Sequence, residues 1–309
     1  MDDDLPLILR SATYGASSRA SVDLRRREKR DELHRVAEGC FVLSSEWASL
    51  RPRERHVLQI RALAPRIGAG RVLSHVSAAA LFGWADLDTL PAPVHLIDPS
   101  AQRSRRRTNA LIHAGRLTSA EIVTVDGLAV TSPMRTAFDL AHDMPFAGAV
   151  AAIDSALHFE VLDKEALSRA FAEFPVRPRR DQAAAALRFS DKDAEAASES
   201  LGRIVLHELG APRPVLQKKL YDNARFLGRV DFFFAEQGVA LETDGYGKYT
   251  EARYLKGRDP ADVFVDEKRR EQDLHLSPEL RTVVRCEWRD LRAPRRLRRL
   301  LLGVGVPVP

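Results

Sequence analysis

The stretch from Phe226 to Gly245 limits what this chain can fold into more than any other. Val230-Asp231-Phe232-Phe233-Phe234 sets one carboxylate inside an otherwise apolar run, and Val239-Ala240-Leu241-Glu242-Thr243-Asp244-Gly245 sets two more at the end of the next. Runs this short and apolar read as buried strands. A carboxylate in such a strand is costly unless a partner or a cation meets it. Period-two alternation places Glu242 and Asp244 on one face. If the two runs pair as a hairpin, Asp231 and Glu242 converge at one end of a sheet.

The flanking sequence completes that sheet. Ser198 is expected to cap a helix carrying Glu199, with Leu201, Ile204, Val205 and Leu209 as its apolar stripe and Gly210 closing it. Strands over 215–220, 226–234 and 239–242 follow. A helix from about Pro260 to His275, with Asp259 as N-cap, precedes a last strand over 282–288. The predicted order is αβββαβ, and Glu199 approaches the strand carboxylates.

Carboxylates this close repel one another unless a cation lies between them. Hard oxygen ligands in an incomplete protein cage suit Mg²⁺ or Mn²⁺, which hold phosphate oxygens and activate water, so phosphodiester hydrolysis is the chemistry expected of the site. Asp231 and Glu242 are the expected metal ligands, and Glu199 and Asp244 complete the acidic set. Lys248 and Lys268 both offer a catalytic cation. Lys248 is preferred, because Glu267-Lys268-Arg269-Arg270-Glu271 also reads as surface ion pairing at helical spacing. Glu271 is a candidate outer-shell acid.

Upstream, Ser18 to Arg30 forms a basic helix ahead of two short strands, 33–36 and 39–43, in the outline of a winged helix-turn-helix. Arg25, Arg26, Arg27, Lys29 and Arg30 are its candidate DNA contacts, although Asp23, Glu28, Asp31 and Glu32 nearly neutralise the run. Asp4 is expected to cap a short helix over Leu5–Leu9. Further on, Ser74 to Phe82 reads as a helix closed by Gly83, and Asp126-Gly127 between 122–125 and 128–131 reads as a type I′ hairpin. His75, His95, His113, His142 and His158 lack metal-motif spacing and read as structural or surface residues.

The chain has 48 Lys+Arg and 43 Asp+Glu over 309 residues, a net +5. The excess is not spread evenly: residues 281–309 hold eight Arg against Glu287 and Asp290. Arg292, Arg295, Arg296, Arg298 and Arg299 are expected on one helix above Leu291, Leu297, Leu300 and Leu301, and Arg292, Arg295, Arg296 and Arg299 are the candidate phosphate contacts there. No run approaches the roughly 20 apolar residues of a membrane span. Met1-Asp2-Asp3-Asp4 is unlike a basic leader, and two cysteines, Cys40 and Cys286, make neither a disulfide framework nor a metal motif. A cytoplasmic location is the expectation, with no membrane partner.

Ser198-Glu199-Ser200, Gly228-Arg229-Val230-Asp231-Phe232, Leu241-Glu242-Thr243-Asp244-Gly245 and Glu267-Lys268-Arg269-Arg270-Glu271 before Val283-Val284-Arg285 resemble the Vsr-related domain of the PD-(D/E)XK nuclease superfamily. The resemblance implies a restriction-endonuclease-like core, Mg²⁺-dependent DNA cleavage, and Glu199, Asp231 and Glu242 at the family's acidic positions. Asp244 stands where the superfamily motif has Lys, and Lys248 where many Vsr-related members have His. Residues 35–43, Leu73 to Gly83 and Val125 to Pro133 with Arg135-Thr136 are similar to AbiEi-type antitoxin proteins, in which a winged helix precedes an α/β domain.

The resulting expectation is an α+β chain: a winged-helix-like segment over 1–55, a mixed α/β AbiEi-like domain over 56–175, a linker over 176–197, and an αβββαβ nuclease-like core with an Arg-rich helix over 198–309. Its expected function is metal-dependent DNA endonuclease. The alternative is a non-catalytic DNA-binding regulator or AbiEi-type antitoxin with a degenerate nuclease fold, for which a toxin protein is a further partner.

Overall fold

The computed structural model describes residues 5–11, 18–87, 90, 93–244, 269–270 and 272–309, without the side chain of Asp244. The chain is a mixed α+β structure in two compact units, residues 1–156 with 160–189, and 190–309 with 157–159. Among the described residues no helix is long and apolar enough to cross a membrane.

The first unit opens with β1 (Leu9–Arg10), α1 (Arg19–Lys29), β2 (Leu33–Ala37) and β3 (Cys40–Leu43). These strands form an antiparallel sheet in the order β1-β3-β2. Residues 5–9 do not make the expected helix. Five residues cannot offset helix nucleation, and Leu9 and Arg10 instead pair with Phe41 and Cys40 at the sheet edge. Helix α1 forms as expected: the Ser18 side chain caps it by accepting from the Ser21 N–H. Leu24 buries against Leu33 and Phe41. Two helices, α2 (Ser44–Ser49) and α3 (Pro52–Leu63), follow the strands rather than precede them.

A six-stranded mixed sheet forms the rest of this unit's scaffold, built from β4 (Val72–Leu73), α4 (His75–Phe82), β5 (Val94–Asp98), β6 (Arg105–Arg106), β7 (Ala110–Ala114), β8 (Ile122–Val125) and β9 (Leu128–Thr131). The strand order is β6-β7-β5-β4-β9-β8, with β5 parallel to β7 and β4 parallel to β9. Gly83 closes α4 in the left-handed region at φ +78°. Asp126 and Gly127 have φ +49° and +75°, the pair of positive angles a type I′ hairpin requires. Helices α5 (Pro133–Asp143), α6 (Phe146–His158), α7 (Lys164–Glu173) and α8 (Arg180–Phe189) follow. Residues 176–197 therefore include a packed helix, with Ala183, Ala186 and Leu187 buried.

Inside this unit Asp139 is fully buried between two guanidinium groups. Arg135 donates to it at 3.0 and 3.1 Å, and Arg177 at 2.6 Å. Arg135 also donates to Glu121 at 2.8 Å and to the Arg116 carbonyl at 3.0 Å.

The second unit contains α9 (Ala197–Glu208), β10 (Val215–Asp222), β11 (Arg225–Phe234), β12 (Val239–Asp244), β13 (Thr282–Glu287), α10 (Trp288–Leu291) and α11 (Pro294–Gly303). The sheet order is β10-β11-β12-β13, antiparallel except for the β12/β13 pair. Helix α9 starts two residues earlier than expected, with Ala196 as N-cap. Ser198 is consequently inside the first turn, where its hydroxyl lies 3.3 Å from Thr243 Oγ1. Phe232, Phe234 and Leu241 bury on the face that also packs Val205, Leu297 and Leu301. Gly202 permits this approach, since a Cβ there would stand 3.0 Å from the Phe232 ring. Of the helix expected to reach His275, the N-terminal part with Asp259 and Pro260 lies outside the described residues. The Arg-rich tail is two helices rather than one, because Pro294 has no N–H with which to continue α10.

Asp139→Ala leaves Arg135 charged, buried and short of its main partner. The expected loss is about 3–5 kcal/mol of stability in the first unit, read by urea unfolding and by faster amide exchange in α5.

Candidate functional site: carboxylates at a sheet end and a histidine cluster

The carboxylates of the second unit gather where the β11/β12 ladder opens. The antiparallel pairing runs over Phe232–Phe234 with Val239–Leu241. Asp231 is the next residue, and its side chain takes up a backbone donor: Oδ2 accepts from the Thr243 N–H at 2.8 Å and from Thr243 Oγ1 at 3.1 Å. Glu199 projects from the first turn of α9 and is buried. Its Oε2 accepts from the Glu195 N–H at 2.9 Å and from Gln217 Nε2 at 2.7 Å. Gln217 has a φ of +49° between the extended residues of β10. Burial, and after it the negative charge of Asp231, pushes Glu199 up to about 7.

Glu242 is buried and already faces cations. Arg270 donates to its Oε1 at 2.7 Å, and Arg285 lies 3.9 Å from its Oε2. Arg270 also donates to the Arg229 carbonyl at 2.7 Å, which ties it to β11. Asp244 ends β12, and its side chain is outside the described residues, as are Lys248, Lys268 and Glu271. Of the predicted acidic set, the structure therefore brings Glu199, Asp231 and Glu242 to one end of the sheet. Gln217, Thr243 and Arg270 are the contributors that spacing did not reveal. Only the Lys-Arg-Arg run of 268–270 carried a signal for Arg270.

The proposed phosphate contacts lie at the surface. Arg25, Arg26, Lys29 and Arg30 are exposed and Arg27 is half-buried. Glu32 pairs with both Arg27 and Arg30 at 3.1 Å. On the tail, Arg292, Arg295, Arg296 and Arg299 are exposed. Arg292 stacks on Trp288 at 5.2 Å and Arg296 pairs with Asp290 at 2.5 Å.

A second polar cluster lies in the first unit. His75, His95 and His113 each present one ring nitrogen within 4.8 Å of the others, the one such group among the described residues. They arrive from α4, β5 and β7. His95 and His113 lie on neighbouring parallel strands, two positions out of register. His113 Nε2 is 3.1 Å from His95 Nδ1, and the His113 ring stacks on His75 at 3.9 Å. His75 Nε2 is 3.0 Å from Asp143 Oδ2, which Arg177 contacts at 2.9 Å. Burial, followed by the charges of His75 and its neighbours, lowers His95 to about 3, and burial lowers His113 to about 4. Sequence spacing gave no sign of this grouping.

Residues 69–187 match the AbiEi antitoxin C-terminal domain. The chain is also 30% identical over 213 residues to the uncharacterized proteins MT2308 and Rv2248, from two strains of Mycobacterium tuberculosis, covering 68% of this chain and 73% of each relative. The chain belongs to one family with these proteins and carries an AbiEi antitoxin C-terminal domain. The crystal structure of the RV2827C protein from Mycobacterium tuberculosis shows a partial likeness, with a TM-score of 0.37 at 18% identity, covering 59% of this chain and 72% of that one. The histidine cluster, Asp139 and Asp143 all fall inside the AbiEi domain. Glu199, Asp231 and Glu242 fall outside it.

Glu199 sets a pH dependence. Between the ordinary value of 4.5 and about 7 the fold holds a proton that the unfolded chain releases, so stability falls as pH rises through that window. The expected contribution is on the order of 2–3 kcal/mol. Glu199→Gln, which keeps a neutral side chain at every pH, flattens the difference between urea unfolding at about pH 5 and about pH 8.

Proposed function

We propose that this protein is a DNA-binding regulator of the AbiEi antitoxin type, with a toxin protein as the further partner of its AbiEi domain. The carrying observation is the match over residues 69–187, in one compact unit with the basic helix α1 and the β2/β3 hairpin. Helix α1 has no acid in its first turn and ends in Arg26, Arg27 and Lys29. An exposed basic helix beside a short hairpin is the placement a winged-helix module uses to approach a phosphate backbone. The Arg-rich α11 adds a second phosphate-binding surface in this reading.

Fluorescence anisotropy with duplex DNA from the region upstream of the protein's own gene tests this. Binding is expected to weaken with salt, by close to 0.9 log units of affinity per log unit of salt for each phosphate contacted. Reversing Arg25, Arg26 and Lys29 to Glu together is expected to cost about tenfold or more in affinity and to flatten the salt slope. Salt-independent binding, or binding indifferent to the reversal, defeats the proposal.

One observation favours a second reading, a Mg²⁺-dependent endonuclease. Glu199, Asp231 and Glu242 sit at one sheet end, with Glu199 raised by burial and, after it, by the Asp231 charge, and a divalent cation near them would relieve the repulsion between the carboxylates. Helix α9, strands β10 to β12 and the parallel β13 are the elements this reading draws on. The oxygen donor set fits a hard cation, with Asp231 and Glu242 as ligands, although Glu242 would have to exchange its Arg270 contact. Mg²⁺ would polarise the phosphate and lower the pKa of a bound water. In this reading EDTA-sensitive DNA cutting is expected from the wild type and lost in Asp231→Ala; no cutting by either leaves the regulator reading alone.

A further inference from the structure

We propose that His75, His95 and His113 form a binding site for a zinc-class divalent transition metal inside the AbiEi domain, with Asp143 as its carboxylate partner. Three imidazoles with one nitrogen each inside a 4.8 Å group match the donor number and softness such an ion takes from protein, with a fourth position left for oxygen. The site is built from separate elements held by the core. His75 is at the start of α4 and 2% exposed, while His95 and His113 are half-buried on β5 and β7.

Three further features point the same way. His95 Nδ1 and His113 Nε2 face each other at 3.1 Å. Only one of the two nitrogens can carry a proton in such a contact, and a metal between the rings would use both lone pairs. His75 has φ +50°, a strained conformation for a residue with a β-carbon, kept where its side chain must reach a fixed place. Its two nitrogens face Ser74 Oγ and Asp143 Oδ2, both at 3.0 Å, so a ligating His75 exchanges one contact and keeps the other as an orienting hydrogen bond. Asp143 is 39% exposed at its side chain, and its Oδ2, which faces His75, also accepts from Arg177 at 2.9 Å.

The proposal is independent of the DNA-binding and nuclease readings. Its test is a calorimetric titration of the chelator-stripped full chain with Zn²⁺, alongside Co²⁺ as a spectroscopic probe. The wild type is expected to bind one equivalent lost on His removal, to give a Co²⁺ visible spectrum of nitrogen ligation, and to melt at higher temperature with Zn²⁺. His95→Ala and His113→Ala are each expected to weaken binding by about 100-fold or more, and Asp143→Asn by about 10–100-fold. His275→Ala, at an exposed histidine of the other unit, is expected to change nothing. Should the histidine variants fail to fold, Zn²⁺-dependent hydrogen-exchange protection in the wild type gives the location, expected at residues 74–76, 94–96 and 112–114. No binding by the wild type, binding retained in both folded histidine variants, or protection confined to other segments overturns the proposal.

Discussion

The first unit is organised around one buried charge, the carboxylate of Asp139. It is fully removed from solvent, and in a low-dielectric interior that is tolerable only because Arg135 and Arg177 both donate to it. Arg135 lies one turn earlier on α5, and its remaining donors fix Glu121 and the Arg116 carbonyl ahead of the β8/β9 hairpin. Arg177 comes from the segment before α8 and divides its guanidinium between Asp139 and Asp143. The same ion pairs that join sequence-distant elements thus also aim Asp143 at His75. Removing Asp139 would leave Arg135 with Glu121 as its remaining carboxylate and Arg177 with Asp143 alone, loosening the brace behind the histidine cluster.

In the second unit the corresponding constraint is the end of a ladder. Backbone donors exposed where β11 and β12 part must find acceptors, and Asp231 supplies one for Thr243. A side chain recruited for that purpose sits at a fixed position and carries its charge with it, and this charge reaches the buried Glu199. Arg270 and Arg285 answer Glu242, whereas Glu199 is met among the described residues by the Gln217 amide and the Glu195 N–H. Those neutral donors offset only part of the cost of burying the carboxylate, so Glu199 is pushed up to about 7.

Features written in local sequence were legible. The Asp126-Gly127 turn, the Gly83 cap, α1 with its Ser18 cap and the β2/β3 hairpin each depend on a few adjacent residues whose φ preferences or side-chain acceptors act locally. The strand carboxylates were legible for a similar reason, because a charge inside an apolar run stands out. The histidine cluster was not. His75, His95 and His113 meet through a parallel pairing of β5 with β7 and the packing of α4, and no spacing rule encodes a parallel crossover. Gln217 escaped notice because only its positive φ turns it toward Glu199. The helix expected over Leu5–Leu9 failed where tertiary pairing with β3 outweighed a weak local preference. Lys248, Lys268 and Glu271 fall outside the described residues.

The Arg-rich tail shows how a charge count changes once partners are known. Of the eight arginines after residue 280, Arg289 is paired with Glu287 and Arg296 with Asp290. Arg298 donates to the Val308 and Pro309 carbonyls, and Arg281 to the Gln237 and Val304 carbonyls, so both hold the C-terminal residues in place. A guanidinium bonded to a carbonyl keeps its charge but loses its reach. Arg285 leans toward Glu242, and Arg292 lies over Trp288. Arg295 and Arg299, four residues apart on the exposed side of α11, are left to face outward together. A phosphate approaching this helix would therefore meet a narrow pair of donors rather than a broad basic patch, with Arg292 beside them on the end of α10. Such a surface makes few direct contacts, while the eight arginines of residues 281–309 against Glu287 and Asp290 still supply long-range attraction in the DNA-binding reading, because pairing with a carbonyl leaves the charge in place.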